Sequence, residues 1–283
     1  MTLKYYIFEN PNDNRKEELK NEIRTKLQNI VTDPAQADLI LVLGGDGTML
    51  DAIHKLYKYN KPFFGINFGT LGFLANEVNT VHEIPQEING LEVITEPLLE
   101  ANIYCENGKI LTKEYAVNEF TLGSAVAGTK PRNHFTIKVG NASYTPIIGD
   151  KLIIAGSIGS TGTRLNYNGK MPLIEHGIGS LGIQGVGTSP FIYQCFEDED
   201  FEGDKQIIVD IHSRYKTLIE IDCSHKTIEN INKVVITYSQ QLYQLCFLKN
   251  GNKEVFATKR RKLYAKKTNG TSSLIPVKEN NEH

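Results

Sequence analysis

Leu39-Ile40-Leu41-Val42-Leu43 is an unbroken apolar run in a chain whose hydrophobic residues elsewhere mostly alternate with polar ones or recur at helical spacing. Such a run fits a strand buried on both faces, as in a parallel sheet. It stops at Gly44-Gly45-Asp46-Gly47-Thr48, and helical spacing takes over at Met49, Leu50, Ala52, Ile53 and Leu56. Strand, glycine turn and helix are predicted in that order. Upstream, Leu3 to Phe8 predicts a first strand. Asn14 to Ile30, with Leu19, Ile23, Leu27 and Ile30 on one stripe, predicts a first helix. Downstream, Phe63-Phe64-Gly65-Ile66-Asn67 predicts a strand beside the Leu39 run. A second glycine-rich turn, Gly69-Thr70-Leu71-Gly72-Phe73-Leu74, then falls on the sheet edge that holds Asp46, where open α/β sheets bind ligands. Thr80 to Asn89 predicts a short helix.

From Pro97 onward the pattern shortens to alternation and β-branched runs. Strands are predicted at Leu98 to Cys105, Lys109 to Val117, His134 to Val139, Tyr144 to Ile148, Leu152 to Ala155, Gln206 to His212, Leu218 to Asp222, Lys233 to Tyr238 and Gln241 to Leu248. Asn107-Gly108, Gly140-Asn141 and Asn250-Gly251-Asn252 mark turns. The fold class is an α/β N-terminal domain with a parallel sheet plus a β-rich, sandwich-like C-terminal domain. The division falls at residues 1–95 and 96–254, with a segment near 255–266 packing back on the first domain and 267–283 a disordered polar tail.

Composition narrows the partners. A chain of 283 residues can bury two cores, and its formal net charge of −2 supplies no global field for nucleic acid or a membrane surface. The N-terminal stretch MTLKYYIFEN lacks a signal-peptide core, and no segment approaches the roughly 18 apolar residues of a membrane span. A cytoplasmic protein acting on a small molecule is expected. Cys105, Cys195, Cys223 and Cys246 lie too far apart in sequence for a zinc or redox motif, so reduced thiols are expected. The seven histidines show no metal-ligand spacing and receive no role. The basic cluster Lys259-Arg260-Arg261-Lys262 reads as a solvated helix face.

Chemistry is expected at the glycine turn. Adjacent glycines let backbone N–H groups approach a phosphate, and the following helix N-terminus favours negative charge there. A carboxylate in that cradle repels a phosphate unless a metal or a proton-bearing hydroxyl lies between them. Asp46 therefore reads either as a base that takes the hydroxyl proton in phosphoryl transfer or as the cap of a tight strand-to-helix turn. Later, Gly156-Ser157-Ile158-Gly159-Ser160-Thr161-Gly162-Thr163 follows another strand; its N–H and O–H donors suit a phosphate or ribose, or a plain loop.

Taken in order, these segments resemble the NAD kinase family, of the superfamily that includes diacylglycerol and sphingosine kinases. Gly44 to Thr48 is similar to its GGDGT, Gly69 to Leu74 to its G-x-LGFL, Asn118-Glu119 to its NE pair, and Gly149-Asp150 with Gly159-Ser160-Thr161 to its GD…GST block. The resemblance implies a dinucleotide held between the domains and phosphorylation of the adenosine-ribose 2′-hydroxyl of NAD. Asp46 would be the catalytic base, while Gly44, Gly45, Gly47 and Thr48, with Mg2+ or another divalent cation, would handle the phosphates of ATP or another donor. Nucleotide contacts are implied for Phe73, Asn118, Glu119, Asp150, Thr161, Gly162, Asn166 and Asp222. No metal-ligating side chains are assigned, and a homodimer or homotetramer is expected. The chain departs from the family where Ala-Tyr usually follows GST, because Gly162-Thr163 stands there. The missing ring predicts loose NAD binding, with Phe73 or Tyr167 as substitutes, and tightening by about tenfold or less on restoring Ala-Tyr. A lipid or sugar kinase and a non-catalytic dinucleotide sensor are the alternatives.

Overall fold

The parallel sheet is built from β1 (Tyr5–Glu9), β2 (Ile30–Val31), β3 (Leu39–Gly44) and β4 (Phe63–Asn67), in spatial order β4-β3-β1-β2. The structure is a computed structural model that describes residues 2–69, 72–124, 133–144, 146–167, 180–187, 199–213, 215–222 and 226–249. β3 is buried along its whole length, as its unbroken apolar run requires. Leu39, Leu41 and Leu43 pack with Leu19, Ile23 and Leu27 on and just beyond α1 (Glu17–Lys26). Ile40 and Val42 pack on the other face with Met49, Ala52, Ile53 and Leu56 of α2 (Asp46–Leu56).

Three helical boundaries differ from expectation. α1 is shorter than Asn14 to Ile30, because Lys16 and Asn29 take left-handed φ values of 49° and 59° and Ile30 leaves to enter β2. α2 is longer: Gly45 is its cap, so Asp46, Gly47 and Thr48 form its first turn rather than a loop. The helix expected over Thr80 to Asn89 is two short 3-10 turns, Val81–Glu83 and Ile88–Gly90, with Pro85 between them denying a continuous helix its N–H.

Beyond this point the chain is almost entirely strand: β5 (Leu91–Tyr104), β6 (Ile110–Ala116), β7 (Glu119–Ser124), β8 (Asn133–Val139), β9 (Ala142–Ser143), β10 (Ile147–Gly149) and β11 (Lys151–Ala155). After the short α3 (Thr163–Asn166) come β12 (Ser180–Val186), β13 (Glu199–Glu202), β14 (Ile207–His212), β15 (Thr217–Ile221), β16 (Lys226–Glu229) and β17 (Lys233–Leu248). β17 pairs parallel with β4 at Leu245 and Phe63, so the parallel sheet continues through β17 into β14, β8 and β10. A second sheet, β13-β12-β11-β7-β15-β16, is antiparallel. Leu99, Ile103, Phe135 and Ile236 from the first sheet meet Phe120, Leu122, Ile154 and Ile219 from the second, which makes the C-terminal half a sandwich.

β5 passes through residue 95 as one strand. The runs expected at Lys233 to Tyr238 and Gln241 to Leu248 merge in β17 across an irregularity between Tyr238 and Leu242. Fully buried Asn76 joins the halves: its Nδ2 donates to the carbonyls of Gly65 and Cys246, and its Oδ1 accepts the Leu248 N–H. Among the described residues no helix is long and apolar enough to cross a membrane. Cys105 and Cys246 are free thiols, and burial pushes Cys246 up to about 12, which leaves it unreactive. Cys195, Cys223, His176, His225, His283, the Asn250 turn, the basic cluster, the 255–266 segment and the 267–283 tail lie outside the described residues.

Candidate functional site

The two glycine turns meet at the ends of β3 and β4, where the Phe68 N–H donates to the Gly44 carbonyl at 3.0 Å. Buried Asn67 shapes the second turn, accepting the Gly69 N–H at 2.8 Å and donating to Glu77 at 2.7 Å. Gly72 adopts φ +58° with the Asn67 side chain where a Cβ would stand, so only glycine fits. Asp46 spans both turns. Its Oδ2 accepts the Phe73 N–H at 3.0 Å and its Oδ1 the Leu74 N–H at 2.8 Å.

Gly45 has an ordinary extended backbone, φ −95° and ψ −169°. Among the described residues, a Cβ on it would have Arg15 and Gly69 atoms as its nearest neighbours, at 3.9 Å, and a Cβ on Gly47 would meet nothing within 4 Å. Neither packing nor extended geometry requires glycine at these positions; their bareness keeps the helix N-terminus open to an approaching group. Arg15 stands at the lip. Its Nε and Nη2 donate to Asp13 at 2.8 and 2.7 Å, while Nη1 lies 3.7 Å from the Cβ position of Gly69. The Arg15 hydrogen bond holds the Asp13 carboxyl down to about 2. Nothing in the local sequence pattern singled out Arg15, because its place depends on the β1–α1 connection folding over the other two turns.

Across the site, Val117 and Asn118 form the bend by which the chain leaves β6 for β7, crossing from one sheet to the other. Asp222, at φ +45° just after β15, holds this bend. Its Oδ1 accepts the N–H groups of Asn118 and Glu119 at 2.7 and 3.0 Å. Its Oδ2 accepts the Val117 N–H at 2.7 Å and pairs with His54 Nε2 at 2.6 Å. Its side chain is 0% exposed. Asp222 thereby holds the backbone of Asn118 and Glu119.

Glu119 is 1% exposed, and its Oε1 accepts the Thr163 hydroxyl at 2.6 Å. A Cβ on Gly162 would lie 2.8 Å from Glu119 Oε2 and 3.2 Å from Asn118 Nδ2. The Gly156 N–H donates to the Asn118 carbonyl at 3.0 Å, and the Ser157 N–H to the Tyr238 hydroxyl at 3.1 Å. Burial pushes Tyr238 up, so its hydroxyl stays neutral. Thr161 and Gly162 lie in this turn and Asn166 ends α3 at the surface.

Met49, Phe73, Leu74, Val117 and Ile158 share one apolar cluster, so α2, the second glycine turn, the 117–119 bend and the 156–163 turn converge. The Phe73 ring is 6% exposed within that cluster, and its N–H reaches Asp46. Tyr167, 43% exposed, is the ring left outside. Asp150 is not gathered with the others. β11 pairs with β7 so that Ala155 faces Glu119 and Lys151 faces Gly123, leaving Asp150 about 15 Å along the strand from the Glu119 end. Among the described residues no three His, Cys, Asp or Glu side chains converge on a possible metal position.

Residues 6–92 match the ATP-NAD kinase N-terminal domain family. The NAD kinase of Helicobacter pylori strain P12 is 36% identical over 142 residues, 47% of this chain and 45% of that protein. The chain thus spans about half the length of the curated relatives first matched. The NAD kinase of Clostridium tetani is 28% identical over 233 residues, 80% of this chain and 81% of its own. The crystal structure of an NAD kinase from Archaeoglobus fulgidus in complex with ATP superimposes with a TM-score of 0.67 at 19% identity, over 91% of this chain and 98% of the other. Yeast NADH kinase complexed with NADH gives 0.70 at 15% identity, over 98% and 90%. These two structures share the fold.

Proposed function

We propose that the chain is a member of the NAD kinase family, whose N-terminal domain its residues 6–92 match, and that it transfers a phosphoryl group from ATP to the adenosine-ribose 2′-hydroxyl of NAD, giving NADP. The observation that carries this reading is the Asp46 carboxylate, held by two backbone N–H groups at the mouth of an otherwise bare glycine cradle. Each carboxylate oxygen keeps lone-pair capacity beyond the bond it already accepts, so Asp46 can take the proton of a sugar hydroxyl without releasing the second turn. The N–H bonds fix its direction, and phosphoryl transfer depends chiefly on such positioning and on charge stabilisation.

The donor's negative charge is met by the α2 N-terminus and by Arg15, whose Nη1 edge faces the gap between Gly45 and Gly69. Mg2+ suits this donor set as a companion of the ATP phosphates, since it is commonly held by one or two carboxylates plus phosphate oxygens rather than by a protein cage. It supplies charge neutralisation on those phosphates. Asn118 and Glu119 receive the dinucleotide, Thr163 orients the Glu119 carboxylate, and Thr161, Gly162 and Asn166 border the same side. The α/β part, residues 1–95, serves the donor, and the β-rich part, 96–254, the dinucleotide. A cytoplasmic location and a homodimer or homotetramer accompany this reading.

The test is incubation of the purified protein with ATP, magnesium and, separately, NAD, NADH, diacylglycerol and fructose 6-phosphate, with mass identification of any phosphorylated product. NADP from NAD is the expected result. A phosphorylated lipid or sugar without NADP would move the assignment to a related kinase, and dinucleotide binding without any product would make the chain a sensor.

A further inference from the structure

We infer that His54 is a positioning residue for the dinucleotide side of the site, acting through Asp222 on the backbone of residues 117–119. His54 lies on α2, eight residues after Asp46 and therefore about 12 Å farther along the helix, too far to share the chemistry of the glycine cradle. Its Nε2 instead meets Asp222 Oδ2 at 2.6 Å. A carboxylate is acceptor-only, so the ring must present Nε2–H to it. The other acceptor sites of Asp222 take the N–H groups of Val117, Asn118 and Glu119 at 2.7, 2.7 and 3.0 Å.

This bend falls between the β6 ladder, which ends at Ala116, and the β7 ladder, which opens at Glu119, where the chain leaves one sheet for the other. Its three successive N–H groups all point at a single carboxylate. Among the described residues, the side-chain donor that meets this carboxylate and sets its direction is His54. Asp222 adopts a left-handed backbone at φ +45°, tolerable for Asp yet unusual, and its own N–H returns to the Glu119 carbonyl at 3.1 Å. The bend then passes its position on: the Asn118 carbonyl accepts the Gly156 N–H, and Glu119 meets Thr163. One imidazole therefore ties the helix that begins with Asp46 to the two residues assigned to the dinucleotide and to the turn packed against them. No local pattern marks His54, whose partner lies 168 residues away in the sequence.

The inference rests on the assignment of Asn118 and Glu119 to NAD, and the test separates the two. His54→Gln keeps an amide N–H near the position of Nε2, whereas His54→Asn offers the same amide one methylene short. We expect His54→Asn to raise KM for NAD about tenfold, with kcat and KM for ATP changed less than threefold, and His54→Gln to stay within threefold of the parent throughout. Hydrogen exchange at the amides of 117–119 should quicken about tenfold in His54→Asn and recover in His54→Gln. Equal behaviour of the two variants in both readouts, or a loss of melting temperature with unchanged KM and exchange, would overturn the positioning role and leave the ring as packing. If the parent protein makes no NADP, the functional assignment fails, and the exchange comparison still decides whether His54 fixes the bend.

Discussion

Replacing Gly162-Thr163 by Ala-Tyr, the pair the resembled family usually carries, is expected to weaken NAD binding, the reverse of the expectation from the sequence. The missing aromatic ring suggested a hole to be filled. In the structure the space is already used: a Cβ at residue 162 comes within 2.8 Å of Glu119 Oε2 and 3.2 Å of Asn118 Nδ2, so both side chains must shift. Tyrosine at 163 also removes the hydroxyl that donates to Glu119 Oε1 at 2.6 Å. A hydrogen bond to a charged group contributes about 1.5–3 kcal/mol, and it is lost here at a carboxylate only 1% exposed. If the ligand must re-impose the Glu119 geometry, that range corresponds to roughly 10- to 150-fold in Kd. A new ring contact returns about 0.5–1.5 kcal/mol, less than the midpoint of the loss. Calorimetric titration of the folded double variant with NAD measures the balance, and Thr163→Val separates the lost hydroxyl from the added ring. Tighter binding by the double variant, or an unchanged Kd in Thr163→Val, would refute the claim that Thr163 orients Glu119.

Arg15→Gln should raise KM for ATP by about tenfold or more while leaving NAD affinity within twofold, because removing a charge-assisted phosphate contact costs on the order of 1.5–3 kcal/mol; equal effects on both substrates would remove Arg15 from the donor side. In the same variant the Asp13 carboxyl, held near 2 by Arg15, should climb toward its ordinary value of about 3.9, which an NMR titration reads directly. Any stability Asp13 draws from this pairing is present above its ordinary range and lost as pH falls toward 2, so Arg15→Gln should flatten the acid limb of the unfolding curve. Gly182→Ala should lower the melting temperature by several degrees: fully buried Arg164 occupies the space of the new methyl group and must shift from its ion pair with Asp200, 2.8 Å away.

What the sequence made readable follows from how each element is buried. β3 and β4 have helices or strands on every side, so their apolar runs announce them, and the glycines that end them mark the cradle. β7 and β12 were not foreseen. β7 opens on Glu119 and carries Gly123, and β12 carries Gly182 and Gly185, glycines that break the alternation; Gly182 is there because the Arg164 guanidinium lies against it. The Asp46 turn was visible as a local motif, but its attachment to Phe73 and Leu74 was not, since those donors lie 27 and 28 residues away. Asp222 and His54 show the same limit. Each looks ordinary in its own segment, and only the crossing between sheets at 117–119 gives them a shared task. Phe73 was readable as part of the second glycine turn, whereas its backbone bond to Asp46 and the packing of its ring in the α2 cluster depend on contacts distant in sequence.

The central claim is that Asp46 accepts a hydroxyl proton from bound NAD, and the most direct measurement is NADP formation by the parent protein and by Asp46→Asn, each with its NAD affinity determined by calorimetry. The amide can accept one of the two backbone N–H groups but turns its NH2 toward the other, so a modest loosening of the second turn accompanies the loss of the base. Loss of a general base lowers the rate by about 10² to 10⁴. The account predicts a fall in kcat within that range while Kd for NAD stays within about threefold, since it assigns the dinucleotide to Asn118 and Glu119 across the site. A variant that forms NADP at close to the parental kcat would contradict it.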